Sequence, residues 1–466
     1  MIVVLVEKSL LRQRNSERNT FAISYGSERG MTQATKKTGV LLLAIFISGM
    51  VMLFSDDQAA LVHVFAIGLL AVSSSALVGF NLIHPLCWFA IFSFVYYCSY
   101  AVLYGLGIYV TYGYSKEPLL LEWFALSAVT LILPKDEVSY QEIASLSTSF
   151  LLPKKGNLIK VAMIGSSLYI VAALVLIETG GFSNKNAIYA SGDVFIRGAF
   201  YAADFVTILY AYYLTLYLIK SGDREKIWIV IVPTIVFLFG MLTGERNYMF
   251  SIALEITLLL LAFKRITPAK VLFILGVGLL LFPLTSAYKY FFLSGGVSQF
   301  ASNDYLYQML GGEFASAGRN LQILVNNGCE GCFGVESIAN EVIRCFVDTG
   351  YSCQLWFSNT FMSNPSVMYG FTIVGEGYVH GGIIGVAIVA CIEGAIARLL
   401  YKASRKSIFF LTVYIYMVPI IIYASRADLA NIISPLWKYA LLTVLLIMIF
   451  DGGSLLSSYR ESNKVR

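Results

Sequence analysis

Charge is what this sequence has least of. Asp, Glu, Lys and Arg make up 13% of the 466 residues, against 58% hydrophobic residues, and mean hydropathy is +0.73. That balance excludes an ordinary soluble enzyme and fits a polytopic membrane protein. A signal-peptide core is also missing: Met1 to Val6 is too short, and Glu7 and Glu17 argue against one. Met31-Thr-Gln-Ala-Thr-Lys-Lys37 reads as a more natural start than Met1, with residues 1–30 a tail or an over-extended frame. The largest cytoplasmic link, Lys135 to Lys160, holds no nucleotide-binding glycine pattern and no metal-ligand spacing. No internal repeat is present, which argues against a transporter built from two similar halves.

What the chain has instead is apolar runs of membrane-spanning length. We count twelve, near 38–54, 59–80, 86–107, 118–133, 160–179, 199–219, 227–243, 248–263, 271–291, 371–397, 408–424 and 435–450. The expected fold class is all-α, a polytopic bundle of about twelve transmembrane helices with one long extracytoplasmic helical loop. Basic residues set the orientation: with the N-terminus inside, 24 of the 33 fall on the cytoplasmic side. The expected order is a cytoplasmic tail over 1–37, spans over 38–291, a periplasmic loop over 292–370, spans over 371–451, and a cytoplasmic tail over 452–466. The net charge of +5 is then a topology signal and gives no reason to expect nucleic acid.

The 292–370 loop is the likeliest seat of function, because it is a long insert in an otherwise minimal bundle. The pattern predicts a helix over Gln308–Asn327, ending at Gly328, and another over Val335–Phe346. Four of the seven cysteines fall here: Cys329, Cys332, Cys345 and Cys353. In an oxidising compartment they are candidates for one or two disulfides, with free thiols as the alternative. Zinc is the rival reading, but no histidine stands nearby in sequence and the spacing after Cys332 fits no finger.

Gly375-Glu-Gly-Tyr-Val-His-Gly-Gly382 opens the tenth span, with Gly377, Gly381 and Gly385 spaced for close helix approach. If helical, it sets Glu376 and His380 on one face, a candidate acid–base pair; the plainer reading is a capping Glu376 and a cross-bundle hydrogen bond from His380. Arg246 precedes the eighth span and Arg426 the twelfth, both on the outer face, where Arg319 of the loop can join them. Arginines at inward-running helix ends suit a lipid-linked phosphate or pyrophosphate. The bland alternatives are arginines snorkelling to headgroups and a surface pair between Arg426 and Asp428. Asp204, just inside the sixth span beside several tyrosines, is a candidate sugar contact, as are Tyr305, Tyr307, Tyr369 and Tyr378.

At these residues the chain resembles the oligosaccharide-repeat-unit (O-antigen) polymerase family. The resemblance covers roughly residues 230–440 and rests on Gly-Glu-Gly-Tyr-Val-His-Gly-Gly-Ile-Ile-Gly at 375–385, the long loop before it, and Ser-Arg-Ala-Asp at 425–428. Where the family pattern has Asn ahead of the second glycine cluster, this chain has His380, which weakens any role carried to that position. The resemblance implies a bacterial inner-membrane enzyme with a glycosyltransferase-C-like bundle and outer-loop arginines important for activity. It implies polymerisation of undecaprenyl-pyrophosphate-linked oligosaccharides, with no nucleotide sugar, cofactor, metal or nucleic acid. Membrane lipids and a chain-length regulator protein are the other candidate partners. Read together, the residues suggest that Arg246, Arg319 and Arg426 hold the pyrophosphate while Glu376, helped by His380, activates a hydroxyl. An O-antigen ligase and a lipid-linked-oligosaccharide flippase are the alternatives.

Overall fold

The structure is a computed structural model that describes residues 35–108, 112–134, 194–220, 246–277, 314–347, 352–362 and 370–441, with short pieces inside 160–175 and 233–238. Among these residues the only regular secondary structure is helical. We number the helices α1 (Thr35–Phe54), α2 (Ala60–Leu77), α3 (Pro85–Gly105), α4 (Glu117–Ile132), α5 (Val194–Lys220), α6 (Arg246–Ala262) and α7 (Pro268–Val277). The loop region supplies α8 (Ala315–Asn326), α9 (Ile338–Arg344) and α10 (Cys353–Phe361). After it come α11 (Ile373–Ser404), α12 (Ile408–Ala424) and α13 (Ala430–Pro435), the last running on into a wider turn over Leu436–Leu441.

Helix starts follow local chemistry. The His84 ring accepts from Leu86 N at 3.1 Å with Pro85 at the first helical position, and the Ser407 hydroxyl accepts from Phe410 N at 3.2 Å. Four described helices, α1, α2, α3 and α11, are long and apolar enough to cross a membrane. Their outward faces are apolar too: Phe46, Phe65, Ile384 and Leu399 are all exposed. Such faces require lipid. Four helices of that length and apolarity make this a multi-pass membrane protein.

The core is built on α3 and α12. Helix α3 packs on α2 and α8, and α12 packs on α11, α6 and α5. Trp88 of α3 donates to the Tyr414 hydroxyl of α12 at 3.0 Å, a cross-helix bond of the kind worth about 0.6–2 kcal/mol in lipid.

The loop helices lie on this bundle. Helix α8 packs against α3 and α4; Gln322 donates to Ser115 Oγ at 2.9 Å and Asn326 to the Tyr112 carbonyl at 2.9 Å. Helix α8 ends at Asn326, two residues before Gly328, which takes positive φ, while the Val335–Phe346 expectation resolves into a 3₁₀ turn at Val335–Ser337 followed by α9. Helix α10 was not legible from the apolar pattern. Its start is a Ser352 cap, the hydroxyl accepting from Leu355 N at 3.2 Å.

Helix α11 is broken, and this corrects the reading of its glycines. Gly381 and Gly382 leave helical geometry, with Gly382 at φ 57°, ψ −139°, a conformation that essentially only glycine adopts. The chain folds back so far that a Cβ on Gly377 would meet the Val386 backbone at 2.5 Å. The glycine spacing therefore lets the two halves of one helix touch. Carbonyls stranded by the break are met by the loop: Gly331 N donates to Tyr378 O and Phe333 N to Val379 O, each at 2.9 Å.

Candidate active site at the broken end of the tenth apolar segment

Residues 371–380 are all buried, although this stretch is the polar end of α11. A relay of hydrogen bonds fixes its start. Gly375 N donates to Thr372 Oγ1 at 3.5 Å, Thr372 Oγ1 lies 2.9 Å from the Tyr97 hydroxyl, and that hydroxyl donates to Ser425 O at 3.1 Å. Phe371 N donates to Arg426 O at 2.9 Å, and Leu429 N donates to Glu376 Oε2 at 2.7 Å. The 425–429 turn is thus held against the 370–376 corner, from segments some fifty residues apart.

Two of the three expected arginines border this corner, Arg426 directly and Arg319 through Asn320. Asn320 donates through Nδ2 to Gly370 O, and the Arg319 guanidinium lies on the same Asn320 amide oxygen, Nε at 3.3 Å and an Nη at 3.2 Å. From the other side the Arg426 guanidinium lies so near Gly370 that an added Cβ would meet its Nε at 3.1 Å. Arg426 also stacks over the Tyr423 ring, 5.5 Å from the centroid. Helix α6 begins at Arg246, in keeping with its expected place before a helix, but its side chain lies outside the described residues.

The expected pair of Glu376 and His380 does not form. Glu376 is 0% exposed; Oε2 takes the Leu429 N–H and Oε1 has no hydrogen-bond partner among the described residues. It does not cap its own helix. It caps the turn that leads into α13. His380, also 0% exposed, is occupied elsewhere: Nδ1 bonds Ser337 Oγ, and Nε2 lies 3.4 Å from Cys353 Sγ.

A second cluster was missed. Arg344 bridges Glu341 at 2.6 Å and Asp428 at 2.7 Å, and Asp428 Oδ1 accepts from Asn431 Nδ2 at 2.6 Å. Asp428 therefore pairs with Arg344 of the loop, and the surface pair with Arg426 is absent. Burial alone would lower the Arg344 pKa, but Asp428 and Glu341 hold it above its ordinary value. Burial, then Asp428, raises that of Glu341. The Glu341–Arg344 spacing of three residues is readable in the sequence as a helix-face ion pair. The Asp428 partner 84 residues away is not.

The four loop cysteines are free thiols, which corrects the disulfide expectation. Cys345 and Cys353 are buried on different partners: Cys345 Sγ donates to Glu341 O at 3.2 Å, and Cys353 Sγ faces His380. Cys332 is exposed and Cys329 buried, with Cys332 N donating to Cys329 O at 3.5 Å. Burial pushes the Cys345 thiol up to about 11.

The sugar-contact candidates fare unevenly. Tyr378 is 3% exposed and bonds Glu117, so no ring face is open for stacking. Asp204 bonds Tyr439 and stands near Glu255, away from the Gly370 corner in its contacts. Tyr305, Tyr307 and Tyr369 lie outside the described residues.

Comparison with known families bears on this same stretch. Residues 351–452 match the family model O-antigen polysaccharide polymerase Wzy. The chain matches no curated protein and no solved structure. The Wzy match spans 102 of 466 residues and takes in α10 to α13, hence Glu376, His380, Arg426 and Asp428. It supports a polymerase-type function in polysaccharide biosynthesis, and it takes in the 375–385 and 425–428 stretches of the expected resemblance, while residues 230–350 lie outside it.

Proposed function

We propose that this chain is a Wzy-type polymerase that joins undecaprenyl-pyrophosphate-linked oligosaccharide repeat units at the periplasmic face of the bacterial inner membrane. The observation that carries the reading is the Arg426 guanidinium against Gly370, with Arg319 joined to the same residue through Asn320, inside and beside the Wzy-matching stretch. Two guanidinium forks at one buried corner suit a pyrophosphate leaving group. About twelve spans, cytoplasmic termini and a glycosyltransferase-C-like bundle belong to the same proposal.

In this mechanism the incoming repeat unit's hydroxyl oxygen attacks the anomeric carbon of the growing chain. A new glycosidic C–O bond forms and the C–O bond to undecaprenyl pyrophosphate breaks, the electron pair leaving with the pyrophosphate. Arg319 and Arg426, with Arg246, counter that charge. The hydroxyl proton passes to Glu376, whose Oε2 is oriented by Leu429 N and whose Oε1 has no described partner. His380 takes no part, because Ser337 and Cys353 occupy its ring.

A broken helix is also a transporter device, but a flippase of two similar halves needs a second break in the corresponding place. Among the described residues only α11 breaks in this way. The test is a strain lacking the chain, examined by lipopolysaccharide gel. A band with one repeat unit on a capped core is the expected result. Loss of all capping assigns a ligase or flippase instead.

A further inference from the structure

We infer that Glu341, Cys353 and His380 form a binding site for a zinc ion that fastens the outer loop to the broken end of α11. Three segments supply the donors: Glu341 from α9, Cys353 from the first turn of α10, and His380 from the last residues before the break. All three side chains are 0% exposed, and their ligand atoms lie within 4.8 Å of one another.

The donor set suits the metal. Thiolate, imidazole and carboxylate together are zinc ligands, and bond lengths of about 2.0–2.3 Å at a tetrahedral angle set neighbouring donors roughly 3.5 Å apart. Cys353 Sγ and His380 Nε2 stand 3.4 Å apart.

The supporting contacts orient these donors. Ser337 Oγ gives its hydrogen to Gly334 O at 2.6 Å, so toward His380 it accepts from Nδ1–H. That fixes the tautomer with the Nε2 lone pair aimed at Cys353, the arrangement a metal-bound imidazole needs. Glu341 Oε2 is held by Arg344, while Oε1 accepts from Cys353 N at 3.3 Å and so already faces the cysteine. Phe333 lies beside the ring, 5.8 Å between centroids, and gives the site an apolar wall.

Charge favours a cation as well. Glu341, Glu376 and Asp428, all buried, influence one another around a single guanidinium, Arg344. A divalent ion relieves that excess of negative charge. The inference does not depend on the polymerase reading, and metal binding can be measured without activity.

The test uses full-length protein in detergent, loaded with zinc chloride and desalted. About one zinc ion per chain should remain by elemental analysis, and loading should raise the melting temperature. Cobalt(II) in its place should give tetrahedral visible bands and a thiolate-to-cobalt charge-transfer band. Cys353→Ser, chosen because it is nearly isosteric, should remove the charge-transfer band and the zinc-dependent stabilisation. Cys332→Ser, at an exposed cysteine outside the cluster, should keep both. No zinc retained by the parent overturns the site, as does a charge-transfer band unchanged in Cys353→Ser. If Cys353→Ser is poorly folded, a parent protein that neither retains zinc nor is stabilised by it is decisive alone.

Discussion

Arg344 and Arg426 come from neighbouring parts of the fold and end in opposite settings. Arg344 is shared between two carboxylates, Glu341 and Asp428, and its single charge is already answered within the protein. Arg426 lies against the Gly370 backbone and the Tyr423 ring, and Arg319 reaches the same corner through a neutral amide, Asn320. The carboxylates divide the same way. Glu341 has Oε1 on Cys353 N and Oε2 on Arg344, whereas Glu376 has one oxygen bonded and the other without a described partner. The difference is that the Arg344 cluster ties α9 to the 425–429 turn, whereas at the Gly370 corner one carboxylate oxygen, Glu376 Oε1, has no described partner. An arginine closed by two carboxylates has little remaining for a phosphate.

The largest effect that tests this contrast is expected at Glu376. Glu376→Gln keeps an oxygen for Leu429 N and the side-chain shape, so the fold should survive. As general base, its loss should lower polymerisation by about 10²–10⁴-fold. Chain-length ladders from the variant at normal protein level measure it, and near-normal ladders would return Glu376 to capping the 425–429 turn. Next comes Arg344→Met. It strands Glu341 and Asp428 without their cation, and breaking such a pair costs about 3–5 kcal/mol. Since the Arg344 side chain is 20% exposed, the lower end is expected, read as a fall in melting temperature in detergent. If the variant melts like the parent, Arg344 is not what pins the loop, and the comparison loses one side.

Arg319→Lys and Arg426→Lys should act on activity alone. Lysine keeps the charge and loses the fork, so each lost charge-assisted bond should cost about 1.5–3 kcal/mol, on the order of tenfold to over a hundredfold in polymerisation. Expression and melting temperature should hold, the reverse of Arg344→Met. Arg246→Lys belongs to the same series. Wild-type ladders from all three would leave the anion site without support.

These clusters were unequally legible in the sequence. Composition and apolar runs carry the membrane class, since a helix in lipid must bond its own backbone and advertise that in hydropathy. The glycine pattern around Glu376 lies at the Gly370 corner, and two of the expected arginines, Arg319 and Arg426, border it. Side-chain pairings did not follow. His380 looked far from any cysteine, yet stands in contact with Cys353, because the break at Gly382 and the Ser352 cap turn both inward. Glu376 and His380 looked like a pair, because helical spacing gives a shared face and says nothing of which neighbour each will meet. Asp428 was given Arg426 by proximity in sequence, and the loop delivered Arg344 instead.

The smallest effect expected is at Tyr97, and it probes the Gly370 corner without touching a charge. Its hydroxyl links Thr372, which caps α11, to the carbonyl of Ser425, the residue before Arg426. Tyr97→Phe removes that link and leaves Ser425 O short of a donor in a buried place, at a cost of about 0.5–1.5 kcal/mol in stability. In a site built only for packing, activity should follow that loss and be restored at lower temperature. In a site where the 425–429 turn must hold Arg426 at a fixed distance from Arg319, polymerisation should fall further than stability does. A misplacement of an ångström is enough to weaken a two-armed grip on phosphate. Tyr97→Phe combined with Arg426→Lys then separates the two cases. If Tyr97 acts by placing Arg426, the pair should lose less than the product of the single losses, because the second change removes what the first one displaced.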